Sequence, residues 1–212
     1  MEDRRKITQH IVLCLLLTQA FLFVTPNSAE TPAVEAPTPV AENPSPVPGY
    51  SPQSSAPVGV SAVARIEYNL GYVFEVTGIY EAKITLLEIV RGEKAWNRIK
   101  AADSSNQPPE VGFEYILAHI RFELTVTEDL DRRGYKLRAW RFSAMSSAGK
   151  YYDTPAVVPP QPELRADLKP GDSYEGWAVF QVAVDDDKPL VNFGRTALSN
   201  DDGYLGVWFQ LY

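Results

Sequence analysis

The stretch FEYILAHIRFELTVT, residues 113–127, decides the fold. Ile116, Ala118, Ile120, Phe122, Leu124 and Val126 fall on one side of it, and Tyr115, His119, Arg121, Glu123 and Thr125 on the other. Separation of apolar from polar residues at a period of two is the property of a strand, whose successive side chains alternate between faces. A long strand with one face against a core is predicted here.

The same period recurs on both sides of it. Residues 138–144 point Trp140 and Phe142 inward, residues 174–184 point Ala178, Phe180 and Val182 inward, and residues 204–212 do so with Leu205, Val207, Phe209 and Leu211. Residues 82–90 are strand-like too, but their alternation slips between Leu86 and Ile89, which predicts a β-bulge. Between these strands, residues 93–101 follow Gly92 and gather Ala95, Trp96 and Ile99 on one face at three- and four-residue spacing. That is a short amphipathic helix, expected to plug one end of the fold. Residues 103–112, with Pro108-Pro109, read as a surface loop. Several strands separated by turn signals, with one helix, predict an all-β antiparallel β-sandwich over residues 63–212.

Upstream the chain changes character. Arg4, Arg5 and Lys6 precede an apolar run over residues 11–24 that ends at Thr25-Pro26. This is the layout of a secretion signal, and the run is shorter than the roughly 20 apolar residues of a membrane-spanning helix. Residues 1–29 are therefore read as a cleaved signal peptide or a retained N-terminal anchor. Cys14 is preceded by Leu13 and followed by more apolar sequence, which is not where a lipid-modified cysteine sits. Residues 30–62 carry prolines at 32, 37, 39, 44, 46, 48, 52 and 57 among Ala, Val, Ser and Glu. Proline fixes φ and removes donors, so this segment is expected to be a disordered linker that samples polyproline II.

Charge and cysteine usage narrow the partners. The net charge is −7, and removing residues 1–29 takes away three basic and two acidic residues, leaving about −8. A surface of that sign repels phosphate backbones, and the pair Arg132-Arg133 belongs to a polar turn ending at Gly134, so nucleic acid is not an expected partner. Cys14 is the only cysteine, so the cleaved chain would hold no thiol and no disulfide, as suits an oxidising compartment. The absence of an Asn-x-Ser/Thr acceptor favours a bacterial over a eukaryotic secretory source. An extracellular or cell-surface location is expected, with any membrane contact confined to the N-terminal anchor and the oligomeric state left open.

Several separated motifs carry a resemblance: RGEKAWNRI at 91–99, PPEVGFEYILAHIRFEL at 108–124, PGDSYEGWAVFQV at 170–182 and DDDKPLVNFG at 185–194. They resemble a bacterial family of exported immunoglobulin-like domains of unknown function, similar in fold to the mycobacterial immunoprotective secreted antigen. The resemblance implies a secreted or surface-attached immunoglobulin-like β-sandwich with a short helix after its first long strand. It brings no catalytic set and no defined ligand. Its recurring residues here, Gly92, Ala95, Trp96, Gly112, Tyr115, Gly176 and Trp177, suit packing and turns as well as a site.

Chemistry is sparse. His119 is the sole histidine of the mature chain, and neither a thiol nor a Gly-x-Ser-x-Gly elbow accompanies it, which speaks against nucleophilic catalysis. Glu123 and Glu175 are the carboxylates for the alternative reading, an extracellular carbohydrate-active hydrolase. Asp185-Asp186-Asp187 and the turn at residues 200–203 could share calcium, but acidic turns also form for local hydrogen-bonding reasons and neither has EF-hand spacing. No metal site and no cofactor is predicted. The feature that points to binding is aromatic: in the register above, Trp177, Val179, Tyr204, Trp208 and Tyr212 face away from the core. Trp and Tyr combine an apolar body with a polar tip and are favoured at interfaces and on sugar-binding surfaces. A non-catalytic module that binds an extracellular protein or glycan through Trp177, Trp208, Tyr204 and Tyr212 is the expectation. The competing reading has these rings pairing across strands or covered by another segment.

Overall fold

The structure is a computed structural model that describes residues 47–68, 78–129, 134–194 and 206–212. The signal segment, the spacer as far as residue 46, Arg132-Arg133, the turn at 200–203, Tyr204 and Leu205 lie outside the described residues, as does the side chain of Val126. The described chain is mostly β with one short helix. In order it forms β1 (Ser61–Tyr68), β2 (Gly78–Arg91), α1 (Gly92–Ala102), β3 (Phe113–Asp129), β4 (Tyr135–Arg138), β5 (Phe142–Met145), β6 (Arg165–Leu168), β7 (Ser173–Ala183), β8 (Leu190–Phe193) and β9 (Val207–Gln210).

Three antiparallel sheets result, ordered β1-β2-β3-β7, β4-β6 and β5-β8-β9. One apolar core joins them: Ile84, Ile120, Phe122 and Phe180 of the large sheet pack in the same cluster as Tyr135 and Leu137 of β4, Phe142 of β5, Phe193 of β8 and Phe209 of β9. The inward side of β3 is as its alternation predicts, with Ile116, Ala118, Ile120, Phe122 and Leu124 all buried. Inward Ala178, Phe180, Val182, Phe142, Val207, Phe209 and Leu211 are buried as well. The predicted bulge is present, as a register shift between Leu86 and Glu88. At β7, Gly176 stands where a Cβ would come within 2.7 Å of the Glu163 carbonyl oxygen, so only glycine lets the two backbones pair.

Four expectations are corrected. Trp140 is 53% exposed, not inward. The predicted strand 138–144 is broken by a 3-10 turn at Ala139–Arg141, whose tighter winding interrupts the two-residue alternation and turns Trp140 out while Phe142 stays in. Helix α1 does not plug an end. Its buried Ala95 and Ile99 pack with Val90 of β2 and Tyr115 and Leu117 of β3, on the side of the large sheet away from the main core. The start of β3 is therefore dry on both faces. Residues 47–62, assigned to the linker from their prolines, already belong to the fold: Ala56 donates to Trp208 O at 2.8 Å and accepts from Gln210 N at 2.9 Å, and Trp208 N donates to Gly49 O at 2.7 Å. Composition counts missing donors, but Gly49 and Ala56 keep theirs, and both residues bond to β9. Lastly, Trp208 faces away from the main core yet is only 8% exposed, because it packs with Met145, Leu190 and Tyr151.

Candidate functional site

The predicted aromatic residues do not form one stripe. Trp177 lies on β7 in the large sheet and Trp208 on β9 in the β5-β8-β9 sheet, and the inward neighbours of both strands enter the same core. The two indoles thus project from different sheets, each on the side away from that core. Each borders its own groove, and the grooves are built differently.

Trp177 is half-buried and already engaged. His119, its register partner on β3, stacks on it with ring centroids 4.6 Å apart and planes 18° from parallel. The guanidinium of Arg98 on α1 lies 5.4 Å from its centroid and is ion-paired to Glu88 at 3.2 Å. A proline-rich strap runs beside it. Trp177 N donates to Pro162 O at 2.8 Å, and Leu164 N donates to Trp177 O at 2.9 Å. Buried Asn106 fastens the strap to the end of the helix, donating to Ile99 O and Val158 O and accepting from Val158 N. Between α1 and the strap remains a groove of about 430 Å³, lined by Arg98, Ala101, Ala102, residues 158–161 and Trp177.

The second groove, of about 600 Å³, lies over the outward side of β8 and β9. Trp208 and Leu190 contribute from those strands, Met145 from β5, and the turn at residues 147–149 together with Pro52, Gln53 and Lys188 forms its borders. Tyr151 enters because that turn reverses the chain and bridges Tyr151 to Met145. Its hydroxyl is buried without a hydrogen-bond partner among the described residues. Tyr212 stands at the rim and is 47% exposed. Of the four predicted site residues, then, Trp208 and Tyr212 share a groove, Trp177 is in another, and Tyr204 lies outside the described residues. Arg98, Gln161, Tyr151 and Lys188 are additions that alternation does not point to; only Tyr151-Tyr152 and the run VPPQP at 158–162 mark these segments in the sequence.

The other candidates have structural duties. Asp186 is buried, and its carboxylate accepts from Tyr152 Oη at 2.8 Å and, at longer range, from the backbone N–H of Ser147 and Lys188. Burial first, and then that hydrogen bond, raises the Tyr152 hydroxyl above its ordinary pKa. Tyr115, under α1, is likewise raised by burial and by Glu110. Glu123 pairs with Lys83 at 3.1 Å, and Glu175 with Arg121 at 2.7 Å, with His119 at 3.9 Å. Neither glutamate lines the two grooves. Among the described residues no group of three or more His, Cys, Asp or Glu could hold a metal ion.

No known protein-family model matches the chain, and no curated protein matches it. Two solved structures are similar to parts of it. One is a putative lipoprotein, YcdA, of Bacillus subtilis, with 11% identity and a TM-score of 0.41 over 61% of this chain and 35% of that one. The other is the YjhA protein of Bacillus subtilis, with 8% identity and a TM-score of 0.41 over 74% of this chain and 100% of that one. This chain spans about a third of the YcdA protein's length. At these scores neither likeness carries fold or function across.

Proposed function

We propose that the chain is an exported, non-catalytic binding module: an immunoglobulin-like β-sandwich held outside the cell on a proline-rich spacer, with its ligand a glycan of the cell envelope. The observation that carries this is the groove over β8 and β9. It offers the ring of Tyr212 and the edge of Trp208 beside Gln53, Ser147 and Lys188. A sugar presents an apolar face that stacks on rings and hydroxyls that need amide, hydroxyl and ammonium partners, which is the mixture found here. The signal-like N-terminus and the absence of cysteine beyond Cys14 support export.

Titration of the purified chain with soluble peptidoglycan fragments, followed by heat release, tests this reading. Binding that Tyr212→Ala weakens by about fivefold with no change in melting temperature is the expected result, since stacking contributes about 1 kcal/mol. Absence of binding, or equal binding by Tyr212→Ala, overturns it. Binding of a protein loop in place of sugar would keep the groove and change the ligand class.

A further inference from the structure

A separate pocket lies at one end of the large sheet, away from Trp177 and Trp208. β3 starts there at Phe113, whose N–H donates to the Glu110 carbonyl at 2.9 Å, and β7 ends there, with Ala183 opposite Phe113 and Gln181 opposite Tyr115. The chain leaving β5 turns back on itself after Ser146 and brings Tyr152 alongside, its N–H on the Ala144 carbonyl at 2.9 Å. Phe113 and Tyr152 then meet edge to face, with ring centroids 6.4 Å apart and planes at 88°. The space they border is about 280 Å³, which suits a ligand the size of a headgroup rather than a chain segment.

The lining joins rings to negative charge. Phe113, Tyr151 and Tyr152 supply the rings, and Glu110 and Asp153 supply carboxylates. Neither carboxylate has an ion pair or a side-chain hydrogen bond among the described residues. Lys150 is the one cation on this lining, and its charge offsets only one of the two. The Tyr152 ring is held in place, because its hydroxyl donates to Asp186 at 2.8 Å. The charges that act on it are negative as well: Asp186 and Asp185 add to burial in raising its hydroxyl pKa, and Glu110 does the same at Tyr115. The face of an aromatic ring attracts a cation, and a carboxylate accepts strongly from a charged N–H donor. Rings and unpaired carboxylates on one small lining are therefore complementary to a positive group, in a chain whose own net charge is −7.

We propose that this pocket binds a primary ammonium group on a small apolar body, with the apolar part against Phe113, Tyr151 and Tyr152 and the N–H groups donating to Glu110 and Asp153. The carboxylates and the amide oxygen of Gln181, which also lines the pocket, take N–H donors that a quaternary ammonium lacks. A carboxylate or phosphate ligand would meet two like charges for the single opposite one of Lys150. The pocket shares only Tyr151 with the groove over β8 and β9, and Tyr212 does not line it. Tyr212→Ala therefore leaves it intact, and this proposal and the glycan reading fail separately.

The test titrates the purified full chain with n-butylammonium, and with 1-butanol, choline and butyrate in parallel, following the backbone N–H resonances of Phe113 and Tyr152. A saturable shift with n-butylammonium that added salt weakens is expected, with none from 1-butanol or butyrate and a weaker response to choline. The double variant Glu110→Gln, Asp153→Asn should weaken binding roughly tenfold, whereas Lys150→Gln, which removes the competing cation, should strengthen it about threefold. Both replace exposed side chains by neutral ones of similar shape and should melt as the native chain does, so a lost response cannot be blamed on unfolding. No saturable shift, an equal response to 1-butanol, or choline binding as tightly as n-butylammonium overturns the proposal. So does undiminished binding by the double variant, and so does butyrate binding that Lys150→Gln abolishes, which would make the site one for anions.

Discussion

The outer side of the large sheet and the outer side of β5-β8-β9 each carry a tryptophan, and the protein uses the two differently. On the large sheet, α1 settles over the start of β3 and makes a small second core with Tyr115 and Leu117, leaving Trp177 at its margin between His119 and Arg98. On the other sheet, Trp208 is closed in by Met145, Leu190 and Tyr151, and the neighbouring groove stays open. An outward register position is not an exposed one. The segment lying over it comes from elsewhere in the chain, and it decides whether a ring packs or binds.

The sharpest way to break that contrast is to delete both indoles in turn. Trp208→Ala should cost about 3–5 kcal/mol, because truncating a buried ring leaves a cavity, whereas Trp177→Ala, at a half-buried site, should cost about half as much. Equal losses in urea unfolding would mean that the two faces are covered alike. Next comes the helix. Ile99 is fully buried under α1, and Ile99→Ala should cost about 2–5 kcal/mol and loosen the strap that Asn106 ties to the Ile99 carbonyl. Amide exchange would read this as faster exchange at Val158 with β9 unchanged; faster exchange at both sites would merge the two regions into one cooperative unit.

The smallest effect is alkaline. Tyr115 and Tyr152 are raised above the ordinary 10.0 by burial, the first with help from Glu110 and the second from its bond to Asp186. When the folded pKa is the higher one, the unfolded chain releases its proton first. The stabilisation is therefore fully present below about pH 10 and is lost as pH climbs through the folded pKa. Tyrosinate absorbance against pH should show late-titrating rings, Tyr115 and Tyr152 among them, that become ordinary in urea. The Tyr115→Phe variant should remove one of them, and a native chain whose tyrosines all titrate alike would contradict this.

Local pattern makes much of the fold legible. Alternation across residues 116–124 marks one face of β3, and the slip after Leu86 marks the bulge, because both are written within a few neighbouring residues. The helix is visible from Ala95 and Ile99, but its seat is not, since that depends on apolar Tyr115 and Leu117 on the face that the alternation marks as polar. Trp140 escapes the pattern for a different reason: one turn of 3-10 winding resets the alternation, and no residue in 138–142 announces it. The grooves are the least legible. Parity tells that Trp177 and Trp208 point outward, but not that β7 and β9 belong to different sheets.

The pairing of Gly49 and Ala56 with β9 also closes an edge. In the order β5-β8-β9, the last strand has a row of backbone groups open on one side. The segment at residues 49–56 occupies that side, donating and accepting at Trp208 and Gln210. It acts as a guard against self-association, because a bare edge strand carrying Val207, Trp208 and Phe209 is a template on which another copy can add its own strand. A chain trimmed at residue 63 would keep nearly all of its core and lose that guard, and its failure would be recorded as clumping in the tube before any loss of fold.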